Sequence, residues 1–184
     1  NIALVDRKGV LNKNREDLNQ YNQDLAVDTE SNTFDECIVD ADVFIGVSGA
    51  NLLKESHVLS MSADPIVFAL ANPDPEILPS DAHQIRDDIV MATGRSDFPN
   101  QVNNVLGFPF LFRGALDAKA TEISDKMLIA ASKALASLAK EPVPQDVLKA
   151  YGLRSLSFGP EYIIPKPFDS RLIDWVAKAV QDAA

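Results

Sequence analysis

Four carboxamide side chains stand close together near the middle of the chain: Asn100, Gln101, Asn103 and Asn104. A strongly apolar stretch follows them. A carboxamide both donates and accepts hydrogen bonds, so such a cluster suits a small ligand with carboxylate and hydroxyl groups. If a helix begins here, the partial positive charge at its N-terminus also favours an anion. Helix capping explains one of these residues but not the whole cluster.

The elements that must position this cluster are strands and helices in alternation. Continuous apolar runs indicate strands buried on both faces, which is typical of a parallel sheet covered by helices. The sequence therefore predicts an α/β fold with right-handed crossovers. In such sheets ligands bind beyond the carboxyl ends of the strands, where the loops converge. The four predicted strands are Ile2–Asp6, Asp42–Val47, Ile66–Leu70 and Ile89–Thr93.

Several helices are predicted from capping residues and from apolar residues at helical spacing. Thr33 and Glu36 match a capping box, Pro79 starts a helix, and Ser124 caps another. The inward stripes are predicted as Leu128, Ala131, Leu135 and Leu138, and near the C-terminus as Leu172, Ile173, Val176, Ala179 and Val180. The predicted ranges are Arg15–Asn22, Asn103–Lys119, Asp125–Lys140, a short helix through Tyr151, an extended segment Tyr162–Pro167 and a last helix from Asp169 that carries Trp175 as a packing anchor.

Asp6 lies at the carboxyl end of the first predicted strand. An acid in that place can accept hydrogen bonds from the hydroxyls of an adenine ribose. The alternative is a plain turn with Gly9 in a left-handed conformation. Arg7 and Lys8 can instead pair with a 2′-phosphate, so the choice between NAD and NADP stays open.

Two further polar segments follow the second and third predicted strands. Ser48 and Gly49 are small, and free N–H groups at such a position let a phosphate or sugar approach closely, although the same residues are common in ordinary turns. Asn72 is held extended by Pro73, which fixes its amide at the edge of the sheet. The alternative for Asn72 is an Asx turn.

The composition argues against two classes of partner. With 17 Lys+Arg against 27 Asp+Glu the net charge is −10, whereas nucleic-acid binding needs clustered cations. No apolar run approaches the ~20 residues of a membrane span, and no signal-peptide pattern is present. A single cysteine suits a reducing compartment. We therefore expect a cytoplasmic protein that binds neither nucleic acid nor membrane.

The remaining candidates for chemistry are weak. His57 and His83 are far apart, and neither has the spacing of a metal-ligand pair. We expect both to be surface or capping residues. Cys37 lies on a helix face without a basic partner, which indicates a buried structural thiol.

The longest motifs closely resemble those of the malic enzymes. They are Phe68–Pro73, Thr93–Asn104, Phe108–Asp117 and, as in the shorter bacterial members, Tyr162–Asp169. The resemblance covers essentially the whole chain. It implies oxidative decarboxylation of malate to pyruvate and carbon dioxide, with NAD or NADP and a divalent metal, Mg²⁺ or Mn²⁺.

The resemblance also assigns residues by position. Asn72 and Asn104 resemble substrate-binding residues, with Asn103 beside them, and Asp6 resembles the acid near the adenine ribose. The residues expected to bind cofactor, from the strand ends and the resemblance together, are Asp6, Arg7, Ser48, Gly49 and Asn72.

Several family features are missing from this sequence. In the family the catalytic Tyr and Lys and two acidic metal ligands lie on an N-terminal domain. A further metal-binding Asp and the glycine-rich phosphate loop come just before the segment that matches Asn1. The resemblance thus implies that residues 1–184 are a partial NAD(P)-binding domain without catalytic or metal-ligating residues. We expect a Rossmann-like doubly wound parallel sheet lacking its first strand, with C-terminal helices.

The chain opens at Asn1, without a methionine, and enters a strand at once. We therefore expect a piece of a longer protein that folds with an upstream segment and forms a dimer or larger homo-oligomer. Two alternatives stay open. One is a non-catalytic nucleotide-binding or assembly module of a fusion protein, and the other is the cofactor domain of a different dehydrogenase, such as an amino-acid dehydrogenase. The carboxamide cluster weighs against the second.

Overall fold

A computed structural model describes residues 2–184, so Asn1 lies outside the described part of the chain. A parallel sheet is built from β3 (Val43–Gly46), β4 (Ile66–Ala69) and β5 (Val90–Thr93), in the order β3-β4-β5. Val43 pairs with Ile66, and Ile66 pairs with Val90. The α/β prediction and three of the four predicted strands are confirmed, each within one or two residues at its ends.

The first predicted strand is wrong in both extent and partner. Only Val5–Asp6 form a strand (β1), which pairs antiparallel with Gly9–Val10 (β2) in a short hairpin. Ile2 is 81% exposed and Leu4 is 37% exposed. The physical reason is that no strand within residues 2–184 lies beside this run in parallel, so it satisfies its backbone locally by folding back on itself.

The sheet is covered along one face, whereas the other face is uncovered at β3 but buried at β5, where Ala92 is 0% exposed. Phe44, Val67, Ala69 and Met91 point into a core, whereas Val43 and Ile45 on the other face of β3 are 49% and 63% exposed. The prediction that these strands are buried on both faces is therefore wrong for β3 in the described chain. Its apolar outer face and its outer edge are both uncovered.

Two of the first four helices begin where local signals predict. Thr33 and Glu36 form the capping box at the start of α2 (Phe34–Cys37), and Pro79 occupies the first turn of α4 (Pro79–Ile85). A helix over Arg15–Asn22 is wrong, because Arg15 is drawn into the hairpin and Asn19 caps a later helix. The helix at Glu55–Ser60 was not predicted. The bounds are α1 Gln20–Leu25, α2 Phe34–Cys37, α3 Glu55–Ser60 and α4 Pro79–Ile85.

The C-terminal part is a separate helical layer. A 3-10 helix (Asn104–Leu106) precedes α5 (Phe108–Asp117), so the single helix predicted over this stretch is divided at Gly107. It is followed by α6 (Asp125–Leu138), α7 (Gln145–Ala150) and α8 (Leu172–Asp182). Residues 162–167 contain no helix or regular strand, in line with the extended segment that was predicted. None of the helices between residues 2 and 184 combines the length and the apolar character needed to span a lipid bilayer.

The inward stripes of α6 and α8 are slightly rotated from the prediction. Leu128 and Ile173 are 45% and 50% exposed, and Met127 and Ala177 are buried instead. A capping Ser124 whose hydroxyl accepts from the Met127 N–H sets the start of α6 and turns Met127 inward. Trp175 is half-exposed and donates its ring N–H to the Ser137 hydroxyl at 2.9 Å. The confirmed core positions are Ala131, Leu138, Leu172, Val176 and Val180.

Candidate functional site

The carboxyl ends of the three parallel strands bring most of the predicted site residues to one edge of the sheet. Ser48 and Gly49 follow β3, Asn72 follows β4, and the segment ending at Asn104 follows β5. Ser48, Asn72 and Asn104 are exposed. A side chain at Gly49 would meet nothing within 4 Å, so internal packing does not require glycine there and the space beside it is open to a ligand.

A buried carboxylate joins the first two of these loops. Glu76 is 0% exposed, and it accepts hydrogen bonds from the backbone N–H of Ser48 at 3.0 Å and of Ala71 at 3.1 Å. The expectation of a free N–H at Ser48 is therefore wrong, because Glu76 already occupies it. Sequence reasoning assigned no role to Glu76, because with Asp74 two residues before it Glu76 resembles an ordinary loop acid.

Arg95 joins the loop after β5 to the loop after β4. Its guanidinium lies 2.7 Å from the Asp97 carboxylate and 3.9 Å from that of Asp74, and it also stacks over the Phe98 ring. The hydrogen bond from Arg95 lowers the pKa of Asp97. All three loops at the edge are thus tied to one another through side chains.

The carboxamide cluster divides into structural and free members. Asn100 is 2% exposed and is held at both ends of its amide. It donates to the Met91 and Pro160 carbonyls at 2.9 and 2.6 Å and accepts from the Ile163 N–H at 2.8 Å. Gln101 donates to the Gly94 carbonyl at 3.3 Å. From the sequence, a structural role was predicted for only one of the four carboxamides. In the structure, more than one of them has such a role.

The last two carboxamides differ from each other. The Asn103 oxygen accepts from the Val105 N–H at 3.0 Å and caps the 3-10 helix. Asn104 is exposed, and within residues 2–184 its amide has no hydrogen-bond partner. Asn104 is the member of the cluster best placed to receive a ligand.

Asn72 has a similarly free side chain. Its peptide bond to Pro73 is cis, and no residue in the described part of the chain forms a hydrogen bond with its amide. An Asx turn, in which that oxygen would accept a nearby backbone N–H, is therefore not formed. The amide stands at the strand end with both of its polar atoms available.

Asp6 and Arg7 lie on the β1–β2 hairpin, which forms a two-stranded sheet of its own. Gly9 has φ +115° and Asp6 accepts from the Lys8 N–H at 2.8 Å, so the turn interpretation is confirmed. Arg15 also contacts both oxygens of Asp6. These bonds, first from Arg15 and then from Lys8, lower the pKa of Asp6. The carboxylate is therefore charged and partly engaged.

Of the two histidines, His57 has a structural role. His57 is buried; its Nδ1 accepts from the Lys54 N–H at 3.1 Å, and its Nε2 lies 2.9 Å from the Asp35 carboxylate. Of the two expectations for His57, the capping role agrees with the structure, whereas a surface position is wrong because His57 is buried. His83 is exposed, and burial raises the pKa of the half-buried Cys37 thiol. Over residues 2–184 no group of three His, Cys, Asp or Glu side chains is arranged to hold a metal ion.

Comparison with known proteins decides the family. A sequence family described as "Malic enzyme, NAD binding domain" matches residues 1–150. This chain belongs to the malic enzyme NAD-binding domain family. The NADP-dependent malic enzymes of Halomonas elongata and Rhizobium meliloti are each 56% identical to it over its full length. The chain covers 44% of the first and 24% of the second.

The fold agrees with a solved malic enzyme structure. The NAD-dependent malic enzyme of Thermotoga maritima superposes with a TM-score of 0.82 at 39% identity, over 100% of this chain and 45% of that one. The chain therefore spans less than half the length of the malic enzymes it matches. The Rossmann-type α/β fold expected from the resemblance is confirmed.

Proposed function

We propose that this chain is the NAD(P)-binding part of a malate oxidoreductase that decarboxylates malate to pyruvate and carbon dioxide. One observation carries the proposal: in a chain of this family, Asn72 and Asn104 present two free amides at the carboxyl edge of one parallel sheet. Malate has two carboxylates and a hydroxyl, and amides can donate to the former and exchange hydrogen bonds with the latter. We further propose that residues 1–184 act as one cofactor-binding unit.

The cofactor is proposed to lie across the same edge. Gly49 leaves room for close approach, the Ser48 hydroxyl is exposed, and Asn72 can reach both cofactor and substrate. Asp6 would accept from the adenine ribose hydroxyls, with Arg7 beside it. A bound nicotinamide would supply the acceptor for the hydride that leaves C2 of malate. The role of the chain's own residues is to hold the reacting carbon in place, which converts a bimolecular encounter into an oriented one.

Substrate binding is proposed for Asn104, Asn72 and Asn103. The first two have free amides, and Asn103 retains its amide N–H₂ because only its oxygen serves as a cap. Asn103 and Asn104 precede α5 through the 3-10 helix, and the N-terminal end of α5 favours a carboxylate. The amides would orient malate without exchanging protons, so general acid and base groups must come from elsewhere.

The metal and the catalytic groups are proposed to belong to an upstream part of a longer protein. The described residues offer no set of ligands for Mg²⁺ or Mn²⁺, and the relatives are more than twice as long as this chain. The outer edge of β3 is unpaired and the run Ile2–Leu4 is exposed. Because an unpaired strand edge recruits a further strand, both features support the proposal that a strand of the longer protein lies between them.

The remaining parts of the proposal concern setting and assembly. The net charge of −10 disfavours nucleic acid as a partner, and the single cysteine supports the proposed cytoplasmic location. We also propose a homo-oligomer of two or more subunits, which analytical ultracentrifugation would test. A monomer at every concentration tried would contradict that part alone.

The deciding experiment is an assay of malate-dependent reduction of NAD⁺ and NADP⁺ with Mn²⁺. We expect turnover by the longer protein that contains these residues and none by the 184-residue chain alone. Asn104→Ala in the longer protein should raise the KM for malate by about tenfold or more, the effect of losing a good hydrogen bond to a charged group. The KM for dinucleotide should change less than about twofold.

Asn14→Ala is the matched control, because Asn14 is an exposed carboxamide away from the strand ends. Turnover by the chain alone would overturn the assignment of catalytic groups to an upstream part. A larger effect of Asn104→Ala on dinucleotide than on malate would reassign Asn104 to the cofactor. Dinucleotide binding without malate turnover by the longer protein would favour a non-catalytic module.

A further inference from the structure

Glu76 is a carboxylate buried without a cation. It lies in the loop between β4 and α4 and is 0% exposed. Asp169, the other deeply buried acid, is paired with Arg171 at 2.7 Å, whereas no Lys, Arg or His of residues 2–184 lies within salt-bridge distance of Glu76. Burying an unpaired charge is strongly unfavourable unless hydrogen bonds to the charged form offset it.

The hydrogen bonds of Glu76 go to backbone groups of two different loops. Oε1 accepts from the Ser48 N–H and Oε2 from the Ala71 N–H, at 3.0 and 3.1 Å. The backbone reinforces this link, since the Leu53 N–H donates to the Glu76 carbonyl at 3.0 Å and the Asn51 N–H to that of Pro75 at 3.1 Å. The β3–β4 ladder ends with the Leu70 N–H, which donates to the Gly46 carbonyl at 2.9 Å. Just beyond it, the Glu76 side chain ties the two loops that leave these strands to each other.

Gly46 makes the room that this arrangement needs. A Cβ at that position would lie 2.4 Å from the Glu76 Cδ and 2.5 Å from its Oε1. A residue with a side chain in place of Gly46 would push the Glu76 carboxylate away from the Ser48 N–H. A strand glycine lowers strand stability, and it commonly marks a place where another group approaches the backbone. Here that group is Glu76.

The two residues held by Glu76 are both part of the proposed cofactor site. It binds the N–H of Ser48 itself and the N–H of Ala71, which directly precedes Asn72. We propose that Glu76 is a positioning residue for the dinucleotide, which fixes the Ser48 hydroxyl and the Asn72 amide at a set separation before the cofactor arrives. It follows that Ser48 meets the cofactor through its hydroxyl and not through its N–H. This inference rests on the proposed function.

The test compares Glu76→Gln with wild type in the longer, active protein. Gln has the same shape, but its amide nitrogen cannot accept from one of the two N–H groups, so one loop is released. We expect the dissociation constant and the KM for dinucleotide to rise about tenfold, the effect of losing a hydrogen bond to a charged group. The kcat at saturating dinucleotide should stay within about twofold. Nicotinamide fluorescence and steady-state kinetics measure these quantities.

Glu122→Gln is the control, because Glu122 is exposed and the substitution makes the same chemical change at a different site. A purely structural role for Glu76 would lower the thermal midpoint and leave dinucleotide binding by the folded protein unchanged, and that result would overturn the proposal. Ser48→Ala keeps the N–H bonded to Glu76 and removes the hydroxyl. Its effect on dinucleotide binding should therefore be smaller in the Glu76→Gln background than in wild type.

A measurement on the wild type covers the case in which Glu76→Gln does not fold. Hydrogen exchange without dinucleotide should show the Ser48 and Ala71 amides protected, while those of neighbouring exposed residues exchange freely. Rapid exchange of both amides would overturn the inference. A wild type that bound no dinucleotide would overturn the proposed function together with this inference, whereas normal wild-type binding with unchanged binding by Glu76→Gln overturns the inference alone.

Discussion

Arg15 donates two hydrogen bonds to the carboxylate of Asp6, from Nη1 to Oδ1 and from Nη2 to Oδ2, each 2.9 Å long. Such a bidentate pair is stronger and more directional than a single contact. Arg15 also binds Asp17, at 2.9 Å from its Nε, and these bonds raise the pKa of Arg15. The residue proposed to read the adenine ribose is therefore held next to a guanidinium, which is the group that best binds a phosphate.

Removing the acid should therefore favour NADP over NAD. In Asp6→Ala, Arg15 keeps its bonds to Asp17, but its Nη1 loses its carboxylate partner and can bind a 2′-phosphate. NAD loses an acceptor for its ribose hydroxyls. We expect the ratio of NAD to NADP dissociation constants to rise about tenfold in the longer protein. Fluorescence titration with the reduced cofactors measures both constants. Asp24→Ala, at an exposed acid of α1, should leave the ratio unchanged, and an equal shift for both cofactors would contradict this role of Asp6.

Asn100 should prove to be a structural residue. Its amide makes three hydrogen bonds, to Met91, Pro160 and Ile163, in a buried setting. Asn100→Ala removes all three and leaves buried backbone groups unpaired, which we expect to lower the free energy of unfolding by about 3 kcal/mol. Urea denaturation of the chain measures the change. Asn104→Ala serves as the comparison, with an expected change within about 0.5 kcal/mol for an exposed residue; equal losses would contradict the division of the cluster.

Tyr162 should make the fold sensitive to alkali. Burial, and then the charge of Asp169, raise the pKa of this phenol above its ordinary value of 10.0. The unfolded chain therefore loses the proton first. The contribution to stability is complete below about pH 10 and falls as pH rises through the folded pKa. Denaturation midpoints across this range, with phenolate absorbance recorded in parallel, measure the effect.

Tyr162→Phe is the matched variant. The Tyr162 hydroxyl has no hydrogen-bond partner among residues 2–184, so its removal should leave stability at neutral pH unchanged or slightly higher. The loss of stability above about pH 10 should be smaller in this variant. An identical alkaline loss in both proteins would assign the effect to other groups.

Gly114 should be intolerant of a methyl group. It lies where α5 crosses α8, and a Cβ there would come within 2.4 Å of the Ala177 carbonyl and 2.6 Å of the Val180 Cβ. We expect Gly114→Ala to destabilise the chain by about 1–3 kcal/mol through overpacking, although alanine by itself favours a helix by up to about 1 kcal/mol. Thermal and urea unfolding measure the difference. Gly159→Ala, whose Cβ would approach another atom only to 4.0 Å, should be nearly neutral, and a stabilising Gly114→Ala would refute the close crossing.

Local chemistry was sufficient to predict much of this fold. The capping box of Thr33 and Glu36 and the three apolar parallel strands depend on neighbouring residues, and they were predicted correctly. The prediction for the first strand was wrong because strand pairing depends on residues that are distant in sequence. The apolar character of Ile2–Leu4 does not determine which strand it pairs with. The predicted inward face of α6 was also wrong at one position. Either Met127 or Leu128 can face inward as far as the local sequence goes, and tertiary packing selects Met127.

The site shows the same division between local and distant effects. That polar residues follow the strand ends is visible in the sequence, and these residues do share one edge. That Asn100 differs from Asn104 is not visible, because the bonds of Asn100 reach a segment 60 residues away. Likewise Gly46 and Glu76 look unrelated until the fold places a carboxylate where a Cβ would be.

The tie between Asn100 and the Pro160–Ile163 segment affects where this unit can be cut. The family match ends at residue 150, yet Pro160 and Ile163 hold the loop that leads to Asn104, and α8 covers α5 and α6. A chimaera that exchanges only residues 1–150 between relatives would put a foreign tail against this loop. Exchange through residue 184 keeps both sides of the contact from one parent, so cofactor preference should transfer with the longer block and be impaired with the shorter one.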